Sequence, residues 1–403
     1  MAAVVLFVLG MALRVGNGIH RRHAAILELE RTHAGIANMR PRGPIWFRLE
    51  MGVDGMKAFD ELLGFHPQRK LTDEDLLHVG RLDGLQELTL QDATVTDQGL
   101  AHLRQLKSLQ VLSLNGTPIT DVGLEQLQGL TELRDLILNG TQITDAGLVH
   151  LKGLTRLERL ELVNTQVRGA GLIHLQALPH LHFVQLDREA LSDTGLKHLS
   201  VLPELRSLSL SGTSATEAGL RHLVGLTKLE VLVLIDKPVT DAGLIHLKGL
   251  TGLHRLALDR TAVTDAGLVH LKGLTELTTL SLDGTRITDT GIGNLAGLTR
   301  LESLSMSKTQ VTDVGLSYLI GLANLERLST NDTQVGNAGL AHLKGLTRLR
   351  VLVINNTQVT DAGLEHLKGL TSLEEVYLGS TCVTDEAIAE LKLALAAAKI
   401  YRW

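Results

Sequence analysis

The sequence predicts an α/β solenoid of about 13–14 stacked units, each with one short strand and one short helix. Two observations carry this. First, a 24-residue phrase, clean at Thr264-Asp265-Ala266-Gly267-Leu268, recurs from about Leu71 onward, with its Asp position at 73, 97 and every 24 residues to 385. There is no insertion or deletion between units, and eleven of the fourteen positions hold Asp, the others being Gly169, Glu217 and Asn337. A fixed period in this range marks a stacked repeat architecture. Second, each unit carries about seven apolar positions, more than two short elements can cover alone.

The elements follow from positions counted after the Asp. Leu at +15 and +17, as in Leu112 and Leu114, alternates with period two and predicts a strand. Leu at +3 and +6, as in Leu100 and Leu103, predicts one face of a two-turn helix. Asp, preceded by Thr, is expected to supply the N-cap oxygen and to favour the helix N-terminus. Gly at +8 (Gly129, Gly153, Gly249, Gly369) is expected to end the helix at C′. Stacking closes the core, and each buried Leu contributes roughly 1.5–3 kcal/mol.

The phrase Leu-x-x-Leu-x-Leu-x-x-Thr-x-Ile, Leu277 to Ile287, resembles the leucine-rich repeat. The position usually held by Asn or Cys is Thr in ten of thirteen units, Thr117, Thr141 and Thr213 among them. The family uses that position to satisfy backbone groups of the turn, and a Thr hydroxyl has the donor to do so. The Thr-Asp-x-Gly-Leu start resembles the cysteine-containing branch, and most closely bacterial membrane-anchored or envelope proteins with Thr-Asp-Ala-Gly-Leu units. The resemblance implies a parallel strand row on the concave side, short helices on the convex side, and a binding role.

The expected organisation has four parts. Residues 1–13 are apolar, 14–70 form a basic helix and an N-terminal cap, 71–385 are the repeat array, and 386–403 form a capping helix and edge strand. Ala2 to Leu13 carries no charge. As a helix it would rise about 18 Å, short of the roughly 30 Å of a bilayer core. A membrane anchor is the expectation, supported by the resemblance; a signal-peptide core and a docked tail are the alternatives. From Arg14 to Arg48, seven Arg oppose Glu28 and Glu30. The chain carries −5 overall, so residues 49–403 carry −10. Basic residues beside an apolar segment suit anionic lipid. The protein is therefore expected at a membrane, its side undetermined, with secreted or periplasmic and cytoplasmic locations as alternatives. Ile19 to Ala37 reads as a helix with Ala24, Ile26, Leu27 and Leu29 apolar, and Ile45 to Phe65 as an apolar cap over the first Leu layer. The last helix is expected to run on to Lys399, before a strand at Ile400.

Several patterns have structural readings. His recurs at +5 ten times, from His78 to His366, and Lys at +7, as in Lys152 and Lys248. No Cys or carboxylate recurs beside the His column, so the expectation is packing rather than metal. One Asp per unit is too few oxygens for calcium. An acidic array with 2% aromatics excludes nucleic acid as a natural partner. The single Cys382 excludes an internal disulfide. No nucleophile-and-base grouping stands out, so no enzyme, cofactor or metal is expected, and the oligomeric expectation is a monomer.

The concave face takes its side chains from +14, +16 and +18, mostly Ser and Asn. The pattern breaks between Val163 and Pro238. Arg159 and Glu161 lie on one strand, and Phe183, Gln185 and Asp187 on the next, followed by Arg188. Two units later Val231, Val233 and Ile235 face outward, and Lys237-Pro238 breaks the Thr column. An exposed aromatic beside Arg, acids and an apolar strip is what interface centres contain. These nine residues, Arg159 to Ile235, are the candidate partner-binding set. The expected function is a non-catalytic protein–protein interaction scaffold. The alternatives are a substrate-receptor or adaptor subunit of a ubiquitin-ligase-like complex, which residues 14–70 are too short and Arg-rich to support, and a carbohydrate-binding envelope protein, which a lack of concave aromatics opposes.

Overall fold

The computed structural model describes residues 21, 24–32, 35–40, 61–67, 69–186, 191–202 and 204–402. The apolar run 2–13 lies outside them. Among the described residues no helix is long and apolar enough to cross a membrane. The chain forms two compact units, Met1–Ala190 and Leu191–Trp403.

Among the described residues the first unit contains seven strands: β1 (Gly35–Arg40), β2 (Glu61–Pro67), β3 (Glu87–Thr89), β4 (Val111–Ser113), β5 (Asp135–Ile137), β6 (Arg159–Leu162) and β7 (Phe183–Leu186). β1 pairs antiparallel with β2, and from β2 onward the neighbours are parallel. The second unit continues the same pattern with β8 (Ser207–Ser209), β9 (Val231–Val233), β10 (Arg255–Ala257), β11 (Thr279–Ser281), β12 (Ser303–Ser305), β13 (Arg327–Ser329), β14 (Val351–Val353), β15 (Glu375–Tyr377) and β16 (Lys399–Tyr401). Its strands are all parallel and pair in a register of 24, as Leu256 with Leu280. Parallel strands need a crossover, and each repeat supplies one short helix. The central strand residue is fully buried (Leu112 and Leu136 in the first unit, Leu280 in the second), and most of the residues either side of it are half-buried or exposed on the open face of the sheet.

The N-terminal part departs from expectation. Residues 24–31 are helical, but the chain turns before Gly35 and becomes β1. The Thr32 hydroxyl closes the helix by donating to the Glu28 and Leu29 carbonyls. The buried face is Ala25, Ile26 and Leu29, whereas Leu27 is exposed. The end of the predicted apolar cap is strand β2, with Phe65 buried. At the other end the last helix stops at Ala394 rather than Lys399.

The anchor motif works differently from a simple cap. Thr is the N-cap residue: Thr264 Oγ1 accepts from the Ala266 N–H. The Asp is the first helical residue, and its carboxylate reaches forward to the next repeat. Asp241 Oδ1 accepts the Thr264 N–H at 2.8 Å and Oδ2 accepts the Thr264 hydroxyl at 2.6 Å. The same clasp joins Asp73 to Thr96, Asp97 to Thr120, Asp121 to Thr144, Asp193 to Thr216, Asp265 to Thr288 and Asp289 to Thr312. The motif glycine follows from it. A Cβ on Gly291 would lie 2.3 Å from Asp265 Oδ1, so only hydrogen leaves room for the arriving carboxylate. Arg168 stands where the Thr should be, and there Asp145 accepts three backbone N–H groups instead, from Arg168, Gly169 and Gly171.

The Thr column behaves as the resemblance implies. All ten Thr hydroxyls donate to the carbonyl three residues back, as Thr285 to Leu282 at 2.6 Å. The preceding residue takes a left-handed φ, at Gly284 (66°) but also at Arg260 (54°) and Lys308 (56°). The glycines at +8 are not left-handed. The helix instead unwinds through a 3₁₀ turn into the Leu that follows, with φ −85° and ψ 58° at Leu154.

Candidate functional site

In the first unit, β6 and β7 pair Arg159 with Phe183 and Glu161 with Gln185. The Arg159 guanidinium sits 4.1 Å above the Phe183 ring centroid and ion-pairs with Glu161. Arg159 Nε donates to Glu161 Oε1 at 2.8 Å, and Asn139 Nδ2 donates to Oε2 at 2.7 Å. Glu161 is thus 9% exposed and fully partnered. Phe183, expected to be exposed, is half-buried because the cation covers one face. Gln185 is exposed. The strand geometry brings Arg159, Glu161 and Phe183 into one rigid group. Asp187 and Arg188 lie outside the described residues.

In the second unit, Val231 and Val233 on β9 are half-buried on the open face, flanked by Ser207 and Ser209 on one side and Arg255 and Ala257 on the other. Ile235, just past the strand, is also half-buried. Lys237 takes the Thr place in the column. Its side chain is buried and donates Nζ to the Thr213 carbonyl, and burial lowers its pKa. Lys237 therefore plugs a turn and does not belong to the open face.

Two features were missed in the sequence. Asp135 on β5 is in register with Val111 on β4 and Arg159 on β6. It is half-buried, with no hydrogen bond or ion pair to its carboxylate among the described residues. Burial raises its pKa, against the smaller lowering effect of Arg159. Second, Tyr377 on β15 and Tyr401 on β16 stack on the open face with ring centroids 4.6 Å apart and planes at 21°. The expectation that this face lacks aromatics is corrected. Both tyrosines occupy the +16 column, so their spacing of 24 was the available signal.

The His column lies on the helix side, half-buried except at the exposed His102, with His150 Nδ1 2.6 Å from Gln128 Nε2. Burial lowers the pKa of His174, helped by Lys152, and of His222, helped by Arg221 and Lys197 and opposed by Asp193.

Comparisons with known proteins agree with this architecture. Residues 105–127 match the family described as Leucine Rich repeat. No curated protein matches the sequence. Among solved structures, an internalin from Listeria monocytogenes is similar with TM-score 0.64 and 26% identity, covering 82% of this chain and 88% of that one. A leucine-rich-repeat protein from Leptospira interrogans gives TM-score 0.55 at 19% identity, over 80% of this chain and 91% of that one, a likeness of fold. The 24-residue parallel register, the ten turn-closing threonines and these similarities together give the chain a leucine-rich-repeat fold.

Proposed function

We propose that this chain is a non-catalytic protein-recognition scaffold whose partner docks on the open face of the sheet. The observation that carries the reading is the Arg159–Glu161–Phe183 group. A ring, a guanidinium and a buried carboxylate are locked together on regular strands before any partner arrives. Such preorganisation avoids the ordering cost that weakens binding by flexible surfaces. Aromatic and Arg residues in water-excluding surroundings are also the usual energetic centres of interfaces. The Tyr377–Tyr401 stack and the Val231–Val233 pair offer further apolar area on the same type of strand position. A non-catalytic role suits a fold whose recurring polar residues, Asp, Thr and Gly, are already engaged in holding one repeat to the next.

The test is crosslinking in native cells with the protein as bait, comparing wild type with Phe183→Ala and Val233→Asp. The expected result is loss of crosslinked partners in each variant with unchanged thermal melting. Identical partner sets in all three proteins would overturn the reading. We place the scaffold at a membrane, tethered through residues 2–13 and the Arg-rich stretch after them, as the composition suggests. Recovery of the native protein wholly in the soluble fraction would reject that placement.

A further inference from the structure

Asp135 stands apart from the other acids of the first unit. Asp97 and Asp121 are each clasped to the next repeat, Glu161 has Arg159 and Asn139, and Glu158 has Arg134. Glu87 is exposed to water. Asp135 has neither arrangement. Its neighbours across and along the strands are Val111 and Ile137, both half-buried, which strip it of water without giving it a donor. The one cation in register, Arg159, is turned away: its nitrogens face Glu161 and its plane covers Phe183. This part of the open face therefore carries a half-buried carboxylate without a donor, beside aliphatic surface.

We infer that the partner seats a basic side chain, Lys or Arg, on β4 and β5, with its charge against Asp135 and its aliphatic stem along Val111 and Ile137. The inference rests on the protein-recognition reading and adds the chemistry of the partner. A long side chain with an apolar stem and a cationic tip fits both halves of the place. The charge-assisted hydrogen bond it makes is stronger than a neutral one. An acidic or neutral partner residue would leave the carboxylate desolvated and unpaired. A single carboxylate is too few oxygens to hold a divalent cation in place of the side chain.

The experiment pans a random peptide library displayed on phage against the immobilised protein, with parallel panning on Asp135→Asn and Phe183→Ala. The expected result is that peptides retained by wild type and lost on Asp135→Asn carry a Lys or Arg. Replacing that residue by Ala weakens binding to wild type by about tenfold or more, and changes binding to Asp135→Asn little. Retained peptides without a basic residue, or peptides that bind Asp135→Asn as tightly as wild type, overturn the inference. If those peptides still fail on Phe183→Ala, the recognition surface stands and only the basic contact falls. If the wild type retains no peptide, or no retained peptide responds to either variant, both readings fall.

Discussion

Asp135 is held where its own charge is disfavoured. Burial between Val111 and Ile137 raises its pKa, and Arg159 offsets only part of that. A raised folded-state pKa means that the native protein takes up this proton more readily than the unfolded chain. The stability linked to it is present in full below the ordinary carboxylate pKa and is lost as pH rises through the raised value. Asp135→Asn removes the charge and keeps the shape. It is therefore expected to melt at a higher temperature than wild type at pH 7, with the difference shrinking by pH 3. Thermal melts at the two pH values check this, and a lower melting temperature for the variant at pH 7 would contradict it. In the sequence Asp135 was one more polar residue in an outward column. Its distinction comes from neighbours 24 residues away on both sides, and from Arg159 choosing Glu161 over it. Arg159, Glu161 and Phe183 were legible because a bulky ring interrupts a column of Ser and Asn. That the ring would be roofed by the guanidinium was not, since Arg159 has several carboxylates within reach.

Within each repeat, the helix start is the element that joins neighbours. Asp265 holds the Thr288 N–H at 2.7 Å and its hydroxyl at 2.6 Å. Asp265→Ala should destabilise the protein by about 1.5–3 kcal/mol, the range for hydrogen bonds to a charged group. Asp265→Asn should cost less, because Asn337 already makes both contacts to Thr360, at 2.9 and 2.8 Å. Gly291→Ala should also destabilise, by about 1–3 kcal/mol, because its Cβ would strike the same carboxylate. The pair Asp265→Ala with Gly291→Ala should lose less than the two separate losses added, since the first change vacates the space that the second fills. Denaturant melts of the four proteins measure this coupling, and strict additivity would show that the two residues do not share a site. The period, the strand and the helix were readable here. The direction of the carboxylate was not, because capping its own helix and reaching the next repeat require the same Thr-Asp pair. The +8 glycines misled for a related reason. A helix that closes through a 3₁₀ turn has no left-handed C′ residue, and the left-handed position falls instead after the strand.

For the whole molecule, two rings of the His column, His174 and His222, link stability to pH. His174 and His222 have lowered pKa values because they are partly buried and face cations, Lys152 for the first, Arg221 and Lys197 for the second. Groups with a depressed folded pKa contribute stability that is present above the ordinary imidazole value of about 6.5 and is lost as pH falls through the lowered one. Melting temperature should therefore drop between pH 7.5 and 5.5, and drop less in the His174→Asn/His222→Asn double variant. Equal slopes in both proteins would exclude these two rings as the cause. The fold was almost wholly legible in the sequence, because a register that never slips repeats one local solution from Leu71 to Asp385. The N-terminal strands were not, since β1 and β2 have no second copy to reveal a period. The forward-reaching carboxylate also governs how such a chain can change length. Excising 265–288 would leave Asp241 still facing Thr264, and would bring Gly291 to the place that Gly267 now keeps clear. A cut of 20 or 28 residues would set a carboxylate against a side chain. Genetic recombination between copies of the phrase can thus add or drop whole cassettes without a designed junction, and the reach of the molecule becomes a quantity that evolution adjusts in steps of one repeat.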